Sequence, residues 1–363
     1  YLKNVARRIS GYQLIVVSDN PKDNLKSRDL FFDNKEPYEI IRKNLLFPKL
    51  IWPRWGKAFL VAFGIMMRRN PILFITPNIL PIGTILYIFK ILFRIPYAIN
   101  LHGMDIKLAK KTGIKKILLQ KILKSSKFII VNSQYTKNQI IEIKSLDLKK
   151  VIVVYPCPDE ITPISETDLT LLKNKWSISS GTVILSLGRL VKRKGFDRVV
   201  DLMPLLLQKY PDLLYVIAGD GPELENIAKK IQQLQLQNHV RLIGKVTNVE
   251  RTALYKICNF FVMPAKENDS DVEGFGIVYI EAAEFGKPSI GSRAGGAEEA
   301  IINGETGLIY GTSEDDLRFA LKTFLDNKNY VIELGNRAKQ RVTQEFSWGH
   351  QVQKLNNALE KFR

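Results

Sequence analysis

Short apolar runs alternate along the chain with stretches in which apolar positions recur every three or four residues, the pattern of strands alternating with amphipathic helices. In the first half, Gln13–Ser18, Ile72–Thr76, Tyr97–Leu101, Phe128–Asn132 and Val151–Tyr155 read as strands. Helices including Ile82–Phe93 and Ile114–Lys124 separate them, and residues 2–10 read as the tail of another. The second half repeats the scheme without repeating the residues, with strands at Val183–Gly188, Leu214–Ala218, Val240–Gly244, Phe260–Met263, Pro288–Gly291 and Gly307–Ile309. Helices are expected there near 196–209, 222–236, 250–257, 276–285 and 314–326, and a last amphipathic helix runs from Trp348 to about Phe362. Such alternation builds parallel sheets with helical crossovers, so the fold class is α/β, with two Rossmann-like doubly wound domains facing a central cleft. Boundaries are expected at 1–158, 159–345 and 346–363, and the proline-rich passage Pro156–Pro163 marks a hinge.

A chain of 363 residues exceeds what one core usually supports, which agrees with two domains. The formal charge is +18 and is unevenly placed: residues 1–150 hold 28 Lys+Arg against 9 Asp+Glu, and residues 151–363 hold 26 against 27, giving +19 and −1. The first half therefore faces an anionic partner. Basic residues interleaved with long aliphatic runs, without zinc-ligand spacing or aromatic RNA-binding motifs, argue against nucleic acid. An anionic membrane surface fits better, because Lys107–Lys124 sets Ile114, Leu118 and Ile122 at helical spacing among lysines. A solvated helix with one face in the core fits the same pattern. The two cysteines, Cys157 and Cys258, form no metal-ligand pattern and favour a reducing cytoplasm. The longest apolar tract, Pro71–Leu101, is broken by prolines, Lys90 and Arg94, so no transmembrane helix and no signal peptide are expected.

The candidate chemistry collects at strand ends. In Glu273-Gly-Phe-Gly-Ile-Val-Tyr-Ile-Glu281, Gly274 and Gly276 let the backbone approach a ligand just before a helix whose free N–H groups suit a diphosphate. Glu273 and Glu281 flank that anion site and offer carboxylates to sugar hydroxyls. The plain alternative makes Glu281 a buried residue paired with a neighbouring cation and Glu273 a surface acid. Arg189 and Lys194 follow a strand ending at Gly188, where a fork-shaped guanidinium and a flexible ammonium can hold two diphosphate oxygens. Ala218-Gly-Asp-Gly-Pro-Glu223 places Gly219 and Gly221 in a turn that suits a nucleotide or a simple tight bend. In the first half, His102 and Asp105 of Asn100-Leu-His-Gly-Met-Asp105, and Ser133 one unit later, sit at strand ends facing the expected cleft. A lone histidine is otherwise more often structural. Gly295-Gly296 adds another turn, with Glu299 nearby.

These residues together resemble the retaining glycosyltransferases of family 4, with the GT-B fold. The likeness rests on Gly188-Arg189 with Lys194-Gly195, on Ala218–Glu223, on Glu273-Gly-Phe-Gly with Glu281-Ala, on Gly286-Lys-Pro288 and on Gly295-Gly296 with Glu299. Asp271-Val-Glu-Gly-Phe-Gly276 is most similar to the phosphatidylinositol mannosyltransferase-like branch. The resemblance implies that Arg189 and Lys194 bind the donor diphosphate, Glu281 the ribose, and Glu273 with the amides around Phe275 the sugar and its phosphate. It implies that His102 lines the donor sugar site, and that the last helix crosses back to the N-terminal domain. It also implies transfer of a hexose, mannose favoured, from GDP-mannose or a UDP-sugar to a lipid-linked or saccharide acceptor at the cytoplasmic membrane face, with no cofactor and no metal. Members usually begin with a strand and a glycine-rich loop ahead of a helix like Tyr1–Ile9, and neither precedes it here. The rival readings are a non-catalytic nucleotide-sugar-binding protein, another GT-B enzyme such as an epimerase, and a nucleic-acid-binding protein.

Overall fold

The computed structural model describes residues 1–20, 33–47, 53–103, 106, 113–143, 145–178, 181–266, 274–311 and 313–361. The chain divides into two compact units, one made of Tyr1–Tyr155 with Trp348–Arg363 and the other of Pro156–Ser347.

The first unit opens with α1 (Leu2–Ala6) and β1 (Ile15–Ser18), which pairs in parallel with β2 (Glu39–Arg42). The strand at β2 has no counterpart among the sequence expectations, because half of it is charged and none of it is fully buried. Helix α2 (Gly56–Arg69), β3 (Phe74–Thr76), α3 (Ile82–Phe93), β4 (Tyr97–Leu101), α4 (Gly113–Ser125), β5 (Ile129–Val131), α5 (Gln134–Ile141) and β6 (Val151–Val153) follow. Strands β3 to β6 pair in parallel in chain order. The expected single sheet is thus two ladders among the described residues. Tyr97, Ile99 and Leu101 of β4 share a core with Phe89 of α3 and with Leu119, Ile122 and Leu123 of α4. Phe59, Phe74 and Phe93 surround the Phe89 ring at 5.2–6.2 Å.

Of the expected apolar positions of α4, Ile122 is buried and Leu118 packs half-buried against the core, whereas Ile114 does not. Leu119, Ile122 and Leu123 are buried, whereas Ile114 is 83% exposed and Ile117 is 56% exposed. The face that carries Leu119, Ile122 and Leu123, three and four residues apart, lies on the side of α4 that packs against α3.

The second unit comprises α6 (Glu166–Lys175), β7 (Val183–Leu187), α7 (Phe196–Leu207), β8 (Leu214–Ala218), α8 (Leu224–Gln233), β9 (Val240–Gly244), α9 (Asn248–Ile257), β10 (Phe260–Met263), α10 (Ile277–Glu284), β11 (Ser289–Ser292), α11 (Ala297–Ala300), β12 (Gly307–Tyr310), α12 (Glu314–Asp326) and α13 (Lys328–Glu345). Its six strands form one parallel sheet in the order β12-β11-β10-β7-β8-β9. The chain moves outward from β7 to β9, returns to lay β10 beside β7, and then moves outward the other way. The order reverses between β7 and β10, and sheets of this kind bind ligands outside the carboxyl ends of their strands. Helix α13 packs on α10, and a Cβ on its Gly335 would overlap the Gly286 carbonyl oxygen.

The last helix, α14 (Trp348–Glu360), belongs to the first unit. Tyr12 donates its hydroxyl to the Leu359 carbonyl at 2.6 Å, Asn356 donates its amide to the Arg8 carbonyl at 3.2 Å, and the Tyr155 N–H donates to Gln351 Oε1 at 3.1 Å. No helix of the described residues is long and apolar enough to cross a membrane.

Candidate functional site

Beyond the carboxyl ends of β7, β8 and β9 lies a cavity of about 530 Å³ lined by Gly188, Arg189, Gly219, Asp220, Gly221, Lys245 and Val246, with Leu187 and Ala218 behind them. That volume suits a nucleotide-sized ligand. Two loops are zipped together to form its floor. The Gly188 N–H donates to Ala218 at 3.0 Å, Leu190 to Asp220 at 2.9 Å, and Glu223 to Leu190 at 3.0 Å. A Cβ on Gly219 would overlap the Gly188 carbonyl oxygen, and one on Gly221 would overlap that of Leu190. The glycines at 219 and 221 are thus demanded by backbone contact, and the contact opens the space beside them.

Lys194 ends a short helical turn, Lys192–Lys194, closed by Gly195 in the left-handed region. Its side chain lies along Gly188, so that a Cβ there would stand 2.7 Å from the Lys194 ammonium. Lys194 is 8% exposed, whereas Arg189 and Lys192 are exposed. Arg198 secures the next turn from below, donating to the Tyr310 hydroxyl at 2.9 Å and to the Ser313 carbonyl at 3.0 Å.

Gly276 caps helix α10, and its φ of 82° lets the chain turn into the helix, whose first N–H groups receive no side-chain cap from it. The Gly295-Gly296 turn packs on this start, since a Cβ on Gly296 would overlap the Gly274 carbonyl oxygen. Phe275 is buried against Phe346 at 5.7 Å between ring centres, so its ring anchors the loop from behind. Glu273 and Asp105 lie outside the described residues.

Glu281 points into a separate, smaller crevice shared with Asp159, Glu160, Arg251, Tyr255 and Glu284. It is 8% exposed, with Arg251 Nη1 3.2 Å from Oε1 and the Tyr255 hydroxyl donating to Oε2 at 2.8 Å. The cationic neighbour that a purely structural role would require is therefore present. Burial pushes the Glu281 carboxyl above its ordinary range, Arg251, Tyr255 and Lys194 pull it down, and Asp159 opposes them. Lys194 thus acts on both places, lying against the wall of the larger cavity while its charge reaches Glu281.

Glu284, one turn further on, is pushed up to about 7 by burial, Glu281 and Asp159. An acid with a raised value in the folded state loses stability as pH climbs from its unfolded value, near 4.5, to about 7, and the penalty persists above that. Glu284→Gln is expected to raise the urea midpoint at pH 8 and to leave it unchanged at pH 4. Equal midpoints at pH 8 would show that Glu284 is not held in the strained ionised form.

In the first unit, His102 is half-buried, and its ring meets Tyr1 edge-on at 5.3 Å; Tyr1 also packs on Trp348 at 5.8 Å. Ser133 is fully buried as the N-cap of α5, accepting from the Thr136 N–H at 3.0 Å and donating to the Thr136 hydroxyl at 2.8 Å. Its hydroxyl is engaged within the unit. Asn100 Oδ1, also buried, has no hydrogen-bond partner among the described residues.

Of the expected residues, the structure brings Gly188, Arg189, Gly219 and Gly221 together around one cavity, with Lys194 against its wall. Asp220, from the same glycine turn, joins them, as do Lys245 and Val246, which were not legible in the sequence. Among the described residues no group of three or more His, Cys, Asp or Glu is arranged to hold a metal ion.

Two family descriptions match the chain: glycosyl transferases group 1 over residues 170–341, and glycosyltransferase family 4 over residues 2–160. A GDP-mannose-dependent alpha-(1-6)-phosphatidylinositol monomannoside mannosyltransferase of Mycobacterium tuberculosis is 31% identical over 191 residues, which are 52% of this chain and 50% of that protein. The chain thus spans about half the length of that mycobacterial relative. An uncharacterized glycosyltransferase of Methanocaldococcus jannaschii is 28% identical over 77% of this chain and 73% of its own length. The crystal structure of Anabaena HepE in complex with UDP superposes with a TM-score of 0.79 at 20% identity, covering 99% of this chain and 95% of that one, a likeness of fold. With both halves matched and the parallel-sheet architecture shared, the chain belongs to the family 4 glycosyltransferases of the GT-B fold and is similar over half its length to their phosphatidylinositol mannosyltransferase members.

Proposed function

We propose that the protein is a retaining, metal-independent hexosyltransferase that moves a sugar, mannose favoured, from a nucleoside-diphosphate donor to a lipid-linked or glycan acceptor. The observation that carries this reading is the cavity beyond the carboxyl ends of β7, β8 and β9, where Arg189 lines the wall and the buried Lys194 lies behind Gly188. Breaking the bond between sugar and diphosphate places new negative charge on the leaving phosphate. The buried Lys194, the exposed Arg189 and the N-terminus of α10 would stabilise that charge where it develops. A diphosphate so held can accept the proton of the incoming hydroxyl on the same face, which accounts for retention without a carboxylate nucleophile. Glu281 would receive the ribose hydroxyls, His102 would line the sugar site, and Glu273 with Gly274 to Gly276 would hold the sugar and its phosphate. The mycobacterial relative, named for GDP-mannose, supports mannose as the first donor to try.

Nucleoside diphosphate release, measured with GDP-mannose, UDP-glucose and UDP-N-acetylglucosamine and with and without lipid acceptors, tests the proposal. Acceptor-dependent release from one donor is expected. Binding without turnover would favour a non-catalytic protein, and donor conversion without acceptor would favour an epimerase.

We also propose that the first unit rests on the cytoplasmic face of an anionic membrane. Helices α2, α3 and α4 pack in succession and leave Leu60, Met67, Ile91, Leu92, Ile114 and Ile117 exposed beside Lys90, Lys115, Lys116 and Lys121. Such a mixture of apolar and cationic side chains suits an interfacial surface. Ile114→Asp with Ile117→Asp is expected to reduce flotation with phosphatidylglycerol vesicles several-fold and to leave donor binding intact. Unchanged flotation would reject this placement of α4.

A further inference from the structure

Glu281 is held from one side by a single helix. Arg251 and Tyr255 stand four residues apart on α9, one turn from each other on the same face, and each takes a different oxygen of the carboxylate, at 3.2 Å and 2.8 Å. Helices α9 and α10 are 30 and 26 residues apart at these two contacts, so the pairing is a product of tertiary packing and not of local sequence. A carboxylate oxygen accepts about two hydrogen bonds. One acceptor position therefore remains on each oxygen, and two neighbouring acceptor positions match two neighbouring hydroxyls.

We propose that Arg251 and Tyr255 are positioning residues for the donor: Arg251 keeps the Glu281 carboxylate charged, and Tyr255 fixes the direction of its oxygens toward the adjacent hydroxyls of a ribose. This rests on the assignment of Glu281 to the ribose made above. The charged surroundings give Arg251 its weight. On the linker that shares the crevice stand the carboxyl groups of Asp159 and Glu160, and on the same helix that of Glu284, which gains its own charge only towards pH 7. Lys194, from the loop after β7, is positive, and Lys339 of α13 acts on Glu284. Arg251 is the cation in direct contact with Glu281. Without it, a buried carboxylate facing Asp159 and Glu284 keeps its proton to higher pH and presents an O–H where an acceptor is required.

The test is calorimetric titration of the full chain with GDP and with UDP between pH 5.5 and 9, using Arg251→Met, Arg251→Lys, Tyr255→Phe, Glu281→Ala and the Arg251→Met/Glu281→Ala pair. Arg251→Met is expected to weaken binding most at pH 5.5, where the carboxyl keeps its proton, by up to about tenfold for each unit its titration moves, and to regain affinity as pH rises. Arg251→Lys restores the wild-type profile. Tyr255→Phe weakens binding a few-fold at every pH, and adding Arg251→Met to Glu281→Ala changes nothing further. Weakening by Arg251→Met that is equal at all pH, or that adds to Glu281→Ala, overturns the proposal and leaves the ribose assignment standing. Unchanged affinity in Glu281→Ala overturns the assignment itself, and the positioning role with it. Arg251→Gln, which keeps polar contact but not charge, gives the same comparison if the methionine variant fails to fold.

Discussion

Replacing Lys194 by alanine is expected to lower kcat/KM for sugar transfer by about 10²- to 10³-fold, the usual cost of deleting one preorganised group that stabilises developing charge. The expectation follows from where the ammonium lies. It is buried, it runs along Gly188 at the edge of the cavity, and its charge reaches Glu281, so it is fixed before a donor arrives. A preorganised charge needs no reorganisation when the leaving diphosphate forms, and in a water-poor site it acts more strongly than it would in solvent. Lys192 provides the control. It belongs to the same short helical turn but is exposed, so Lys192→Ala is expected to change kcat/KM by less than about twofold, as screened surface charges do. Steady-state kinetics of both variants, at matched ionic strength, decides the matter. Wild-type kcat/KM in Lys194→Ala would remove this lysine from the transfer site.

Gly219→Ala is expected to destabilise the second unit by about 2–4 kcal/mol and to abolish nucleotide binding by the residue that remains folded. Two costs coincide there. The φ of 143° is one that side chains rarely adopt, and the new methyl would overlap the Gly188 carbonyl oxygen, which belongs to the backbone and cannot swing aside. Relief requires parting the two loops that form the cavity floor, so stability and binding fall together. Gly304→Ala separates these costs. Gly304 also has positive φ, 77°, but its methyl would meet nothing within 4 Å, so only the conformational cost of about 1 kcal/mol applies. Urea midpoints of the two variants, with nucleotide titrations alongside, are expected to differ clearly. Equal midpoints would mean that the loops are less tightly joined than the glycine contacts require.

Strands Leu214–Ala218 and Phe260–Met263 are legible in the sequence to the residue because parallel strands covered on both faces read as unbroken apolar runs, and Tyr97–Leu101 is nearly such a run. Glu39–Arg42 is not legible, since a half-buried strand with a charge at each end has no such run. Helix α13 escaped for a different reason. Its buried stripe includes Gly335 and Ala338, small residues chosen for close approach to α10 and too weakly apolar to stand out among charged neighbours. In the site, Arg189 and Lys194 were legible because cations directly after a strand already occupy the ligand end of a sheet. Lys245 and Val246 were not, because their place depends on β9 lying beyond β8, a fact of strand order that no local pattern encodes. Arg251 was hidden likewise, its partner being fixed only when α9 and α10 pack together.

The first unit is assembled from the two ends of the chain, with the whole of Pro156–Ser347 inserted between them. Its earliest residues, Arg8 and Tyr12, take their hydrogen-bond partners from Asn356 and Leu359. At bacterial to eukaryotic synthesis rates, the ribosome needs roughly 10–40 s to traverse the intervening stretch. During that interval the second unit can fold to completion as it emerges, whereas the first waits with the seat of its last helix uncovered. The unit begun first is therefore finished last, and nascent chains arrested before Trp348 should be the form that chaperones hold longest.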